Sequence, residues 1–145
     1  MRKKIILYSF LLIIVGCAEK SIEACNLSTQ NSITYSNGKI YTGSCHIFYN
    51  DSLLYRTLTY KRGKITKQVN YYLPSEKLEY IGHWKDGKIH GDFESYYENG
   101  TMSIKGQLIE GLYDGDWTYW DDDGTVNKEL TYDMGTVLDS TYYKD

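Results

Sequence analysis

Proline is almost missing from this chain: its 145 residues hold one, Pro74. Cysteine and histidine are scarce too, with three of each. The histidines are His46, His83 and His90, and no regular strand or helix brings the last two together across a turn. Zinc needs three or four converging ligands, so no metal site is expected. No basic excess exists either: 16 basic residues stand against 19 acidic ones, a net charge of −3. A nucleic-acid surface needs a basic patch, so no nucleic-acid partner is expected. Sequence signatures of phosphate-binding loops, dinucleotide folds and nucleophile elbows are missing. Asp121-Asp122-Asp123-Gly124 lacks the spacing of a calcium loop, which puts glycine sixth and glutamate twelfth, and reads instead as an acidic hairpin turn. The sequence therefore predicts no catalytic residues and no cofactor, and a protein that is not an enzyme.

Long hydrophobic runs are also lacking. The longest, Ile5 to Val15, has 11 residues and is interrupted by Tyr8 and Ser9. A membrane-spanning helix needs about 20. A short greasy core behind Arg2, Lys3 and Lys4 is instead the pattern of a secretory signal peptide. Ile14-Val15-Gly16-Cys17 closes it and resembles the lipobox of bacterial lipoproteins. That resemblance implies cleavage after residue 16 and lipidation of Cys17, since several acyl chains together make a stable anchor. Cleavage would remove three of the 16 basic residues, leaving 13 against 19 acidic and a charge of −6. The lipid, not the surface, would then hold the domain at a membrane. Ala18 at the next position implies the outer membrane in a Gram-negative cell, or the outer face of the plasma membrane otherwise.

Residues 17–32 are small and polar and read as a lipidated tether. Of the remaining cysteines, Cys25 and Cys45 are free to form a disulfide after export. Cys45 equally suits a place in a packed column, and spacing alone does not choose between the two.

What the chain has in abundance is tyrosine, with 16, and glycine, with 13. Gly38, Gly63, Gly87, Gly111 and Gly135 follow one another at 25, 24, 24 and 24 residues. Four gap-free blocks result: Thr42–Ile65, Thr66–Ile89, His90–Tyr113 and Asp114–Val137, with a partial fifth from Leu138. The fourth column reads Cys45, Val69, Phe93, Trp117; the seventh reads Phe48, Tyr72, Tyr96, Trp120; the last reads Ile65, Ile89, Tyr113, Val137. Each block holds a glycine turn and a second, mid-block turn such as Asn99-Gly100 or Asp123-Gly124. Such pairs accept the positive φ of tight hairpins. Between them lie short runs rich in aromatic and β-branched residues, which suit strands. The reading is an all-β, elongated antiparallel meander of about four hairpin repeats and eight or nine strands over residues 33–145.

Tyr80-Ile81-Gly82-His83-Trp84-Lys85-Asp86-Gly87-Lys88-Ile89-His90-Gly91 resembles the MORN repeat, and Gly106 to Trp117 resembles a degenerate copy. The pattern is similar to a MORN-repeat variant of bacterial proteins that includes a family named as toxin–antitoxin antitoxins. The first two blocks depart from it, with Leu58 and Lys67 where later blocks have glycine.

Strand side chains alternate, so the seventh column should face away from the fourth. Phe48, Tyr72, Tyr96 and Trp120 then form a candidate aromatic binding stripe. The functional expectation is an envelope-anchored, non-catalytic protein-binding lipoprotein whose partner is a toxin or envelope protein. The resemblance implies an antitoxin or immunity role. The alternative is a structural, glycan-binding or lipid-binding envelope lipoprotein that uses the stripe.

Overall fold

The structure, a computed structural model, describes residues 21–23 and 25–143. The signal-peptide segment and Cys17 lie outside the described residues. Four short strands come first: β1 (Ser21–Glu23), β2 (Leu27–Gln30), β3 (Ile33–Ser36) and β4 (Lys39–Ile40). The array follows as β5 (Gly43–Tyr49), β6 (Leu53–Lys61), β7 (Lys64–Tyr71), β8 (Leu78–Lys85) and β9 (Lys88–Tyr96). It continues as β10 (Met102–Ile109), β11 (Leu112–Trp120), β12 (Val126–Asp133) and β13 (Thr136–Tyr142).

Strands β5 to β13 pair in chain order, each antiparallel to the next, and β1 adds to the outer side of β5. The expected meander of hairpin repeats is what the chain forms. Its glycine turns share one geometry. In Asn37-Gly38, Arg62-Gly63, Asp86-Gly87, Glu110-Gly111 and Met134-Gly135 both residues have positive φ. That conformation matches the twist of the flanking strands and favours glycine at the second place.

Part of the segment read as a tether is folded. β2 pairs with β3, from Leu27 opposite Ser36 to Gln30 opposite Ile33, and β4 completes a second, three-stranded sheet. The turn between them, Asn31-Ser32, has positive φ at both residues without a glycine. Cys25 and Cys45 are joined by a disulfide with Cα atoms 5.7 Å apart, tying this segment to β5. The small sheet docks on the first glycine turn of the array. Thr34 N–H donates to Gly63 O (2.8 Å), and Gly63 N–H donates to Tyr41 O (2.7 Å). Approach is so close that a Cβ on Gly63 would lie 2.6 Å from Ile33 Cγ2.

Consecutive repeats are laced together along both edges of the array. Gly111 N–H donates to Ile89 O and Gly135 N–H to Tyr113 O, repeating the Gly63–Tyr41 bond. Beside each, a side chain accepts the preceding turn amide: Thr42 from Arg62, His90 from Glu110, Asp114 from Met134. At the mid-block turns Tyr72 Oη donates to Tyr96 O and Tyr97 Oη to Trp120 O. Asn99 Nδ2 likewise reaches Asp122 O. These bonds leave few backbone groups of the tight turns to water alone.

One block of the gap-free alignment slips, in both its fourth and seventh columns. Between the pairs Trp84–Ile89 and Gly82–Phe93, β9 carries two residues more than β8; one is Gly91, at φ +103°. Between Gln107–Asp114 and Lys105–Thr118, β11 carries two more than β10; one is Gly115, at φ +67°. In β7 the equivalent residue is Lys67, which does not take that conformation cheaply. There the strand carries one extra residue, Thr66. β7 is thus displaced by one, and Gln68 rather than Val69 pairs with both Leu58 and Gly82. The turn holding Pro74 restores the frame. It is closed by Tyr72 N–H to Lys77 O, one residue longer than the turns closed by Tyr97 to Thr101 and Asp121 to Thr125.

Candidate binding surface

A single-layer sheet has two faces, and register assigns them. Cys45, Leu58, Gln68, Gly82 and Phe93 pair in succession across one face, followed by Gly106, Trp117 and Leu130. This is the core face: Cys45, Gln68, Trp117 and Leu130 are buried on it. Glycine alternates with rings for a steric reason. A Cβ on Gly106 would fall 2.2 Å from Trp117 Cδ2, so the indole lies across β10 and stacks on Phe93, ring centres 6.0 Å apart. Tyr80 stacks on the other side of Phe93 at 5.9 Å, and Tyr113 and Tyr132 close around Trp117 at 4.3 and 6.3 Å. In β7 the glutamine amide donates to Asn70 Oδ1 (3.1 Å) and to Tyr80 Oη, and Arg56 Nε donates to the same Asn70 oxygen (2.9 Å). A polar cluster therefore replaces the ring where the frame slips.

Tyr96 sits on the opposite face, as the alternation predicts. Its Oη donates to Glu94, and Glu94 pairs with Lys105 (3.2 Å). Both bonds hold the Glu94 carboxyl below its ordinary range, with the tyrosine contributing most. Phe48 and Trp120 occupy the same place in their strands, opposite Leu54 and Val126 as Tyr96 is opposite Met102. Tyr72 does not. The slip in β7 puts Tyr71 there, opposite Leu78, and gives Tyr72 the hydrogen-bonding role of Tyr97. Phe48, Tyr72, Tyr96 and Trp120 are each half-buried rather than exposed. The stripe is therefore neither one column nor an open surface.

The histidines serve the frame. His46 Nδ1 bonds Thr57 Oγ1, His83 Nδ1 bonds Asp92 O, and His90 Nδ1 accepts the Glu110 amide. In the acidic turn, Asp123 Oδ1 accepts from Thr125 N–H and Oγ1, and Asp121 Oδ1 accepts from Asn127.

Exposed large apolar side chains gather elsewhere. Among the described residues, apart from Ile40, they are Leu112, Tyr113, Met134, Val137, Leu138, Tyr142 and Tyr143, all on the last hairpins. On one face Tyr113 and Tyr132 have ring centres 5.2 Å apart and Tyr132 pairs with Val137; at the neighbouring turn Leu112 lies against Gly135. Sequence reasoning missed this patch because column identity does not set burial. In the last column of the blocks Ile65 and Ile89 are half-buried, while Tyr113, bonded to the last glycine turn, is 44% exposed and Val137, on the edge strand, 51%. The usable signal is position in the array, since exposure within this column rises toward its last copies.

Residues 89–109 and 113–134 match the MORN repeat variant. Each match begins where one hairpin leaves its glycine turn and spans β9–β10 or β11–β12. The two MORN repeats are thus the ones whose Gly91 and Gly115 allow the two-residue widening. No curated protein matches the chain. MORN repeats point to a repeat-built binding module, and the patch of exposed apolar side chains lies on and just beyond the second of them.

Proposed function

We propose that this chain is an envelope-anchored lipoprotein whose repeat sheet binds a protein partner, and that its role is of the antitoxin or immunity type. The observation that carries partner binding is the patch formed by Leu112, Tyr113, Met134 and Val137. Exposed apolar surface gathered at one end of an array marks an interaction site. Three further features support the envelope reading. The N-terminal Arg2-to-Cys17 pattern resembles a lipoprotein signal. The Cys25–Cys45 disulfide suits an oxidising compartment. The charge of −6 left after residue 16 disfavours anionic lipid and nucleic acid and suits a basic partner. Stacking on glycans by the seventh-column aromatics has less support, because those residues are half-buried and Tyr72 is out of line with the other three.

The test is affinity purification of the tagged protein from its own membranes, at low and high salt, beside a Leu112→Asp/Met134→Asp variant. A stoichiometric polypeptide that the variant loses supports the proposal and names the partner. Recovery of glycan or lipid alone, or of a polypeptide indifferent to the variant, overturns it. Loss of palmitate labelling in Cys17→Ser is the parallel test of the anchor.

A further inference from the structure

Beyond the face patch, the edge of the sheet carries its own information. All seven residues of β13 are exposed; no proline or lysine stands among them, and the edge is guarded only by the bulge at Leu138 and the charge of Asp139. Its backbone polarity can be read from two bonds. Tyr143 N–H donates inward to Asn127 O, so its neighbour Tyr142 faces outward. Ser140 N–H bonds not to β12 but to the carboxylate of Asp139, at 2.8 Å, so Ser140 also faces outward.

We propose that β13 pairs antiparallel with β13 of a second copy, about a two-fold axis at Ser140. The partner surface proposed above shares only Val137 with this strand, since Leu112, Tyr113 and Met134 lie off the edge. Only a residue with an outward backbone can exchange both hydrogen bonds with its own symmetry mate. Ser140 meets that condition. The register then sets Leu138 opposite the second copy's Tyr142, and Tyr142 opposite its Leu138, each 64% exposed in the single chain. Aliphatic–aromatic cross-strand pairs are favourable. Asp139 falls opposite Thr141, so no like charges meet. The neighbouring two-fold, at Asp139, would oppose two carboxylates and is disfavoured. An isologous contact of this kind closes on itself, giving a dimer and not a fibre. In the single chain Asp139 covers the Ser140 amide; pairing exchanges that local bond for one to the second copy.

The experiment is sedimentation of the full chain in mild detergent, with five variants. The unsubstituted chain is expected to be a dimer. Ser140→Pro removes the central donor and is expected to weaken dimerisation roughly thirtyfold, the worth of two ordinary hydrogen bonds. Ser140 N–H makes no bond to β12, so this variant keeps the β12–β13 ladder. Asp139→Thr frees the amide and should tighten the dimer. Ser140→Cys should give a dimer that reductant dissolves, beyond any seen without the substitution, since facing Cα atoms of a hydrogen-bonded pair lie about 5.5 Å apart. Thr136→Cys should not. A monomeric chain overturns the proposal. So does a dimer insensitive to Ser140→Pro, or one linked through Asp139→Cys in preference to Ser140→Cys, or an open-ended oligomer.

Discussion

Gly106 lies under the Trp117 indole so closely that a Cβ there would stand 2.2 Å from Cδ2. Trp117 is 2% exposed and is held by Phe93, Tyr113 and Tyr132, so it has nowhere to retreat. Gly106→Ala is therefore expected to destabilise by about 1–3 kcal/mol or more through overpacking. Gly82→Ala meets the flexible end of Ile89 at 3.1 Å and should be milder. Urea unfolding of the two variants side by side checks the order; equal midpoints would refute it.

The frame slip in β7 makes a second prediction. Gln68 is buried and bonded to Asn70 and Tyr80, whereas Val69 is half-buried on the other face. Gln68→Ala should cost about 1–3 kcal/mol by leaving buried partners unsatisfied. On a gap-free repeat the opposite is expected, with Val69→Ala the costlier change. Thermal unfolding of both distinguishes the two frames.

Opening the Cys25–Cys45 bond releases a constraint between residues 20 apart in sequence. A loop near that length is worth about 3 kcal/mol in the unfolded chain. Cys25→Ala, or reduction, should lower amide protection first in β2, β3 and β4, with β9 to β12 held by their own ladders. Hydrogen exchange read strand by strand is the measurement. Uniform loss across the array would show that the bridge stabilises the whole sheet and not its N-terminal end.

Acid and alkali should act at different places. The Tyr96 and Lys105 contacts lower the Glu94 pKa from its ordinary 4.5. Their stabilisation is present above that value and is lost as pH falls through the lowered one. Tyr119 is shifted upward, by burial first and then by its hydrogen bond to Tyr132. A raised pKa stabilises fully below the ordinary value of 10.0 and fails as pH climbs through the higher one. Glu94→Gln should blunt the acid limb, and ease the alkaline one a little because Tyr96 is raised by burial and then by Glu94; Tyr119→Phe should blunt the alkaline limb and leave the acid one intact. Circular dichroism against pH, with tyrosinate absorbance, reads both.

Much of the fold was legible in the chain. Asp86-Gly87 and Glu110-Gly111 announce tight turns because few residue pairs tolerate positive φ twice in succession. The 24-residue spacing of those turns then sets the hairpins. Less legible was the N-terminal sheet. Ser28, Thr29 and Gln30 are exposed and carry no apolar pattern, and their turn at Asn31-Ser32 has no glycine to announce it. The candidate surface was harder still. Tyr72 and Tyr96 look equivalent by counting, but one residue gained or lost in a bulge turns a side chain to the other face.

From its sequence alone, then, this protein is determined as an all-β run of hairpins: turn chemistry and strand composition are local properties, and the repeat copies them. Tertiary structure decided which residues are covered. Val137 and Ile89 share a column, yet one is half exposed on the edge strand and the other half-buried inside the array. Burial is a property of neighbours, and neighbours exist only once the strands have taken their register.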